Sequence, residues 1–341
     1  MRRLVELQQK LLPDLVQVLR ERYMLLRSIG HLQPIGRRGL AQAMGTTERI
    51  LRAEVELLKD SGLLHVSAAG MNVSAEGQQV LDEMEPLVGE LFGLTDLAEQ
   101  LQRLLGIPEV VVVQGNADQS PWVKEELGRA AARVLKQIVQ ENDIVAVTGG
   151  SSVASLAHHL SPAPVFKTVQ FVPARGGLSE RAELQANTLA SQMAARTGAS
   201  YHLLHVPDRL QPEALQTLKK EQQVQEVLEL LRQARIVLHG IGDAISMAKR
   251  RNHSEEEIVG LQEKGAVSEA FGYYFNEAGE TVHYMPTIGL QLEDVKKAES
   301  VLSIAGGESK AKAILSFAKQ SCQNVLVTDE GAARSLLSTR L

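Results

Sequence analysis

Residues 143–152, DIVAVTGGSS, decide how the chain reads. Four apolar residues, Ile144 to Val147, run without polar alternation into Thr148 and a glycine pair, and the segment that follows, SSVASLAHHL, has helical spacing. A strand with no polar face is covered on both sides, and a glycine turn into a helix is how a parallel sheet passes its chain to a covering helix. The pattern recurs beyond residue 108 in EVVVVQG, TVQFVPARGG, SYHLLHVP, RIVLHGIGD, SVLSIAGG and QNVLVTDEG, separated by amphipathic segments. The expectation is an α/β body with a doubly wound, mostly parallel sheet. Ligands of such sheets gather beyond the carboxyl ends of the strands.

Three of the glycine loops carry chemistry suited to anions. Gly149 and Gly150 let the backbone approach a ligand closely, and Ser151 and Ser152 add hydroxyls at a helix N-terminus, whose amides favour phosphate. Arg175, beside Gly176 and Gly177, offers a guanidinium for bidentate phosphate binding. The stretch 305–310, AGGESK, opens what reads as the last long helix and puts Lys310 in its first turn. A cation is unfavourable there unless an anion binds beside it. MAKRRN adds Arg250 and Arg251, whose bland reading is a solvated helix end; Gln185 and Glu269 are candidate acceptors for sugar hydroxyls. Neither GxxxxGK[ST] nor GxGxxG occurs, since Gly240-Ile241-Gly242 lacks the third glycine, which argues against a nucleotide. The set suits two phosphates on one small metabolite; no cofactor and no metal are expected.

With 341 residues the chain is long enough for about two domains. Residues 1–75 hold eleven Lys and Arg against seven Asp and Glu, whereas the whole chain carries a net charge of -5. A basic head on an acidic body suggests that the head meets a polyanion. Residues 14–31 read as a helix with Leu15, Val18, Leu19, Leu25, Leu26 and Ile29 available for burial, ended by Pro34. A short helix from Arg37 to Met44 stops at Gly45, and Thr46 or Thr47 caps a second helix reaching about Ser61. Ile50, Leu51, Val55 and Leu58 would face the core, with Arg49, Arg52, Glu56 and Lys59 opposite. LLHVSAAGMNVS then reads as a two-stranded wing. This order is that of a winged helix-turn-helix, whose second helix reads DNA; Arg37, Arg38, Thr46, Thr47, Arg49, Arg52 and Lys59 are the candidate contacts.

The expected divisions are 1–75 for the head, 76–105 for a helical linker interrupted at Pro86 and Gly93, and 106–341 for the body. The linker's Leu and Val stripe suits either the body or a second subunit. One cysteine, Cys322, excludes an internal disulfide or a thiolate metal cluster and points to a reducing compartment. Charges among the apolar positions of MRRLVELQQKLLPDL argue against a signal peptide. A cytoplasmic protein is expected.

PIGRRGLAQAMGTTERILRAEVELLK, DQSPWVKEELGRAAA, VAVTGGSS, FVPARGGLSE, HGIGDA, AKRRN, EAFGYYFN, AGGESKAKA and VLVTDEGAA, spread over residues 34–333, resemble the SorC family of sugar-responsive bacterial regulators. The resemblance implies a body with the fold of sugar-phosphate isomerases and deaminases, used as a sensor, with fructose-1,6-bisphosphate as the expected effector. It places phosphate and sugar contacts on Gly149, Gly150, Ser151, Ser152, Arg175, Gln185, Arg250, Arg251, Glu269 and Lys310. It further implies repression of a glycolytic operon by a homotetramer that sugar phosphate loosens from its operator DNA. Ser151-Ser152 departs from a Thr pair found in this type of regulator, keeping the hydroxyls and losing the methyls.

The rival reading is a sugar-phosphate isomerase or deaminase of the same fold, which needs a positioned acid/base pair. Gly240-Ile241-Gly242-Asp243 keeps an Asp, yet the segment to Ser246 has no His. His239 is expected to be packed at a strand end and His253 to face solvent. A third reading, a DNA-binding scaffold without a ligand, leaves Arg175 and Lys310 unexplained.

Overall fold

The computed structural model describes residues 11–177, 181–207 and 211–338. The first ten residues, on which the argument against a signal peptide largely rests, lie outside them, as do 178–180 of the quoted FVPARGGLSE.

The head comprises helices α1 (Pro13–Leu32), α2 (Arg37–Ala43) and α3 (Glu48–Asp60), then an antiparallel hairpin of β1 (Leu64–Ser67) and β2 (Gly70–Val73). Thr47 caps α3, its hydroxyl accepting from the Ile50 amide at 3.5 Å. Leu51, Val55 and Leu58, spaced four and three apart, pack with Leu26, Ile29 and Leu40. Burying each such side chain stabilises by about 1.5–3 kcal/mol. Two expected core residues are corrected. Ile50 is 62% exposed, because one residue's rotation of about 100° carries it off the 51–55–58 stripe. Leu15 is also exposed, since the fully buried part of α1 begins at Tyr23.

Helices α4 (Ala75–Leu91) and α5 (Leu94–Leu105) lead into the body. The chain breaks at Gly93, whereas α4 continues through position 86, contrary to expectation. A proline inside a helix forfeits a ladder hydrogen bond, and packing of α4 on α1 and α5 retains the turn. Leu94, Leu97, Leu101 and Leu105 of α5 are buried in the chain's own core, which settles the α5 part of that stripe, whereas Leu87 of α4 stays exposed.

The first half of the body runs β3 (Glu109–Val113), α6 (Trp122–Ile138), β4 (Ile144–Val147), α7 (Ser151–His159), β5 (Gln170–Pro173), α8 (Ala186–Thr197), β6 (Ser200–Tyr201), α9 (Pro212–Leu218), α10 (Gln222–Arg232) and β7 (Ile236–Gly240). The second half runs β8 (Gly242–Asp243), α11 (Ala244–Arg250), α12 (Glu255–Glu263), β9 (Ala266–Ala270), β10 (Tyr273–Asn276), β11 (Thr281–Tyr284), α13 (Leu292–Val295), β12 (Ser300–Ile304), α14 (Ala311–Ala318), β13 (Val325–Asp329) and α15 (Glu330–Ser338). The seven runs read as strands form one parallel sheet in the order β3-β13-β12-β7-β4-β5-β6. Alternate residues enter two cores. Val145, Val147, Ile236, Leu238, Leu302 and Ile304 pack with α6, α7 and α8, while Ala146, Val237, Val301 and Leu326 pack with α5, α14 and α15.

From β4 the chain steps outward to β5 and β6, then returns to β7 on the other side of β4 and proceeds through β12 and β13. The direction reverses between β4 and β7, opening a crevice at their carboxyl ends. A second, antiparallel sheet in the order β11-β10-β9-β8 was not among the expected strands. It is inserted between β7 and β12 and brings Glu269 to the crevice. Among the described residues no helix is long and apolar enough to cross a membrane.

Candidate functional site

The ten residues singled out for a ligand all line one cleft, of about 150 Å³, beside the β4–β7 reversal. Gly150 has φ of +116°, a conformation open to glycine but strained for other residues, and its amide donates to the Leu184 carbonyl at 2.9 Å. The next three amides, of Ser151, Ser152 and Val153, form the first turn of α7 and meet no protein acceptor among the described residues. They are the orphan donors of a helix start, and they carry its partial positive charge.

In the same cleft Arg175, two residues beyond β5, is buried, with Nη1 3.8 Å from Glu269 Oε1. Arg251 Nη2 lies 2.7 Å from the same oxygen, and the Gly272 amide donates to it at 2.7 Å. Burial opposes ionisation of Glu269, but Arg251, then Arg175, and the Gly272 amide overcome it and hold the carboxyl below its ordinary range. Arg251 is therefore a buried anchor for Glu269, and the solvated-helix-end reading fails for it. Arg250 is half-buried beside Met247. Burial, with Arg250 acting in the same direction, lowers the Lys310 ammonium pKa against Asp243 and Asp118, which raise it. An incoming anion would reverse that balance.

The AGGESK loop is corrected. It forms a 3-10 turn before the eight-residue α14, and α15 follows, so it does not open the last helix. Its amides are also occupied: Gly307 donates to Asp329 Oδ2 at 2.7 Å, Ser309 to Asp118 at 2.8 Å, and Glu308 to Asn116 at 3.4 Å. Side-chain oxygens from other segments, two carboxylates and a carboxamide, have taken the place expected for a ligand. From this stretch, Lys310 reaches the cleft.

The groups that would serve an isomerase are engaged otherwise. His239 is buried, and burial pushes its pKa down to about 4. Its Nδ1 donates to the Gly240 carbonyl at 3.1 Å and its Nε2 accepts from the Ser303 hydroxyl at 2.7 Å, while Gln323 donates to Ser303 Oγ. Asp243 caps α11 by accepting the Ser246 amide at 2.8 Å. His253, expected in solvent, is buried with Nε2 3.3 Å from the Tyr274 hydroxyl and edge-on to the Tyr274 and His283 rings. The packing of α11 and α12 on β9 encloses it.

In the head, Arg38, Arg49, Arg52 and Lys59 are exposed, and Arg37 and Thr46 partly so. Thr47 is exposed, but its hydroxyl serves the α3 cap. Lys59 sits in the last turn of α3, 3.2 Å from Glu56 and far along the helix from Arg49. Ile50 joins Arg49 as an exposed apolar residue in the first turn, a signal that strict 51–55–58 spacing already contained.

Sequence reasoning also missed the seam between head and body. Arg20 of α1 pairs with Glu330 of α15, and Arg27 with Glu126 of α6. His31 Nε2 is 2.6 Å from the other Glu126 oxygen, and its ring stacks on Trp122. Burial opposes ionisation of Glu126, yet the His31 hydrogen bond and Arg27 bring its pKa down to about 2.

A helical head with cations on its exposed helix, seamed to an α/β body with an anion-suited cleft at its strand reversal, defines a ligand-responsive DNA-binding regulator. Residues 18–88 match a family model described as the CggR N-terminal DNA binding domain, and residues 89–338 one described as "Putative sugar-binding domain". Over 99% of both chains, the sequence is 46% identical to a Central glycolytic genes regulator of Priestia megaterium and 42% to one of Bacillus subtilis. A solved chain from Enterococcus faecalis, described as a putative SorC family transcriptional regulator, is 38% identical with a TM-score of 0.67, covering 71% of this chain and 99% of its own. The full-length sorbitol operon regulator SorC of Klebsiella pneumoniae, 21% identical, shares the fold with a TM-score of 0.68 over 92% of this chain and 97% of its own. The chain belongs to the SorC family of sugar-binding transcriptional regulators, and it is a DNA-binding regulator, not an enzyme.

Proposed function

We propose that the chain represses a central glycolytic operon and that a phosphorylated sugar, fructose-1,6-bisphosphate foremost, enters the β4–β7 cleft and loosens the operator. The observation that carries this is the convergence of ten residues from separate segments on one cleft, whose lining combines helix-start amides with buried cations. The names of the two relatives matched along their full length support the glycolytic assignment. One phosphate meets the amides and hydroxyls of Ser151 and Ser152, with Gly149 and Gly150 letting it approach the backbone; the other meets Arg175, Arg250 and Lys310. Gln185 and Glu269 accept from sugar hydroxyls, and Arg251 holds Glu269 in place. On DNA, α3 enters the major groove, with the β1–β2 hairpin as the wing and Arg37, Arg38, Thr46, Thr47, Arg49, Arg52 and Lys59 as contacts. The chain acts as a homotetramer.

A tenfold loss of operator affinity requires about 1.4 kcal/mol of differential binding between the two states. Thermal unfolding against sugar mono- and bisphosphates tests the reading, because a saturating ligand raises the midpoint by mass action. The largest rise is expected with fructose-1,6-bisphosphate, and Arg175→Ala should abolish it while operator binding without ligand persists. No rise with any sugar phosphate, or an undiminished rise in Arg175→Ala, overturns it.

A further inference from the structure

The far end of α7 holds a cluster that the effector cleft does not use. His158 and His159 are its last two residues, and Glu125 of α6 faces them. His159 Nε2 is 3.0 Å from Glu125 Oε2 and His158 Nδ1 is 3.9 Å from the same oxygen. All three donor atoms lie within 4.8 Å of one another. Donors about 2.0–2.2 Å from a zinc ion stand about 3.4 Å apart at the corners of a tetrahedron, so small side-chain rotations bring this set to a common ion. We propose that Glu125, His158 and His159 form a binding site for a borderline divalent cation, Zn2+ foremost, with solvent completing its coordination.

Three features support the assignment. Two imidazoles and a carboxylate suit zinc, nickel or copper, whereas magnesium and calcium prefer all-oxygen sets. The two histidines sit at the negative end of a nine-residue helix, where a cation is favoured, while Glu125 is in the first turn of α6. Glu125 and His158 are substantially exposed and border an open cavity also lined by Ser151, Ala154 and Glu183, which gives an ion a path in. Arg129 and Lys124 are the opposing cations nearby. Zinc would replace the His159–Glu125 hydrogen bond with a stronger tie between α6 and α7. At ~1.5 Å per residue, the His158–His159 end lies ~10–12 Å along the axis from the amides that begin the same helix. This site does not depend on the effector reading.

The test uses the full-length, untagged protein, stripped with a chelator and then titrated with Zn2+ by calorimetry and with Co2+ by visible absorption. One equivalent per chain, a cobalt spectrum of low-symmetry coordination, and no competition from excess Mg2+ are expected. His158→Ala removes a mostly exposed side chain and should weaken Zn2+ binding at least tenfold without changing the midpoint of the metal-free protein. His158→Ala/His159→Ala should lose the cobalt spectrum altogether. Failure of the parent protein to bind Zn2+, equal binding by the double variant, or equal competition by Mg2+ would overturn the proposal.

Discussion

Glu126 is the residue at which head and body meet, receiving Arg27 and His31 from α1. Removing one member of a buried charge pair leaves the other uncompensated, at a cost of about 3–5 kcal/mol. Glu126→Ala is therefore expected to lower unfolding free energy by that order in urea titrations. The sign of the pH effect follows from the depressed pKa. Glu126 ionises near 4.5 when unperturbed and near 2 here, so its stabilisation is complete above about pH 4.5 and is lost as pH falls toward 2. The melting midpoint of the parent protein should drop more steeply from pH 5 to pH 3 than that of Glu126→Gln. Equal slopes would show that the seam contributes nothing through this carboxyl.

At the scale of an element, α3 separates a packed face from an exposed face, the one proposed to read DNA. Leu51, Val55 and Leu58 hold it to the head, while Arg49, Ile50 and Arg52 stand outside. Arg52→Ala is expected to weaken operator binding by about 1–3 kcal/mol if the side chain reads a base edge. Ile50→Ala should leave stability within about 0.5 kcal/mol, as for an exposed position, yet lower operator affinity through loss of apolar contact with a thymine methyl. Fluorescence anisotropy with labelled operator, run beside thermal unfolding, separates the two effects. A large loss of stability in Ile50→Ala would return that residue to the core.

At the scale of the molecule, cleft and head are joined by two helices in close contact. The first turn of α7 faces the cleft, α7 packs on α6, and α6 presents Glu126 to α1. The approach is tight at Gly128, where an added Cβ would fall 2.5 Å from the Ser155 backbone carbon of α7. Gly128→Ala is expected to push the helices apart, retaining effector binding but reducing the change in operator affinity proposed for fructose-1,6-bisphosphate. Operator affinity measured with and without the bisphosphate checks this; an unchanged ratio would remove the α6–α7 contact from the route.

The seven strands, the helix–turn–helix order of the head and the residues around the cleft were legible because each is a local pattern. An unbroken apolar run such as Ile144–Val147 implies cover on both faces, and a glycine pair before a helix implies open amides. Where Gly307, Arg251, His253 and Ile50 ended up was set by partners distant in sequence or by a rotation of one residue. The Gly307 amide looked like that of Ser151 until Asp329 was brought against it. Arg251 looked solvated until β9 delivered Glu269. Sequence by itself determined which groups are able to bind an anion, since that is a property of residue type and turn. Tertiary structure alone decided which of them stay available, because a buried donor or charge takes whichever partner the fold brings within reach, and leaving it unmet is costly.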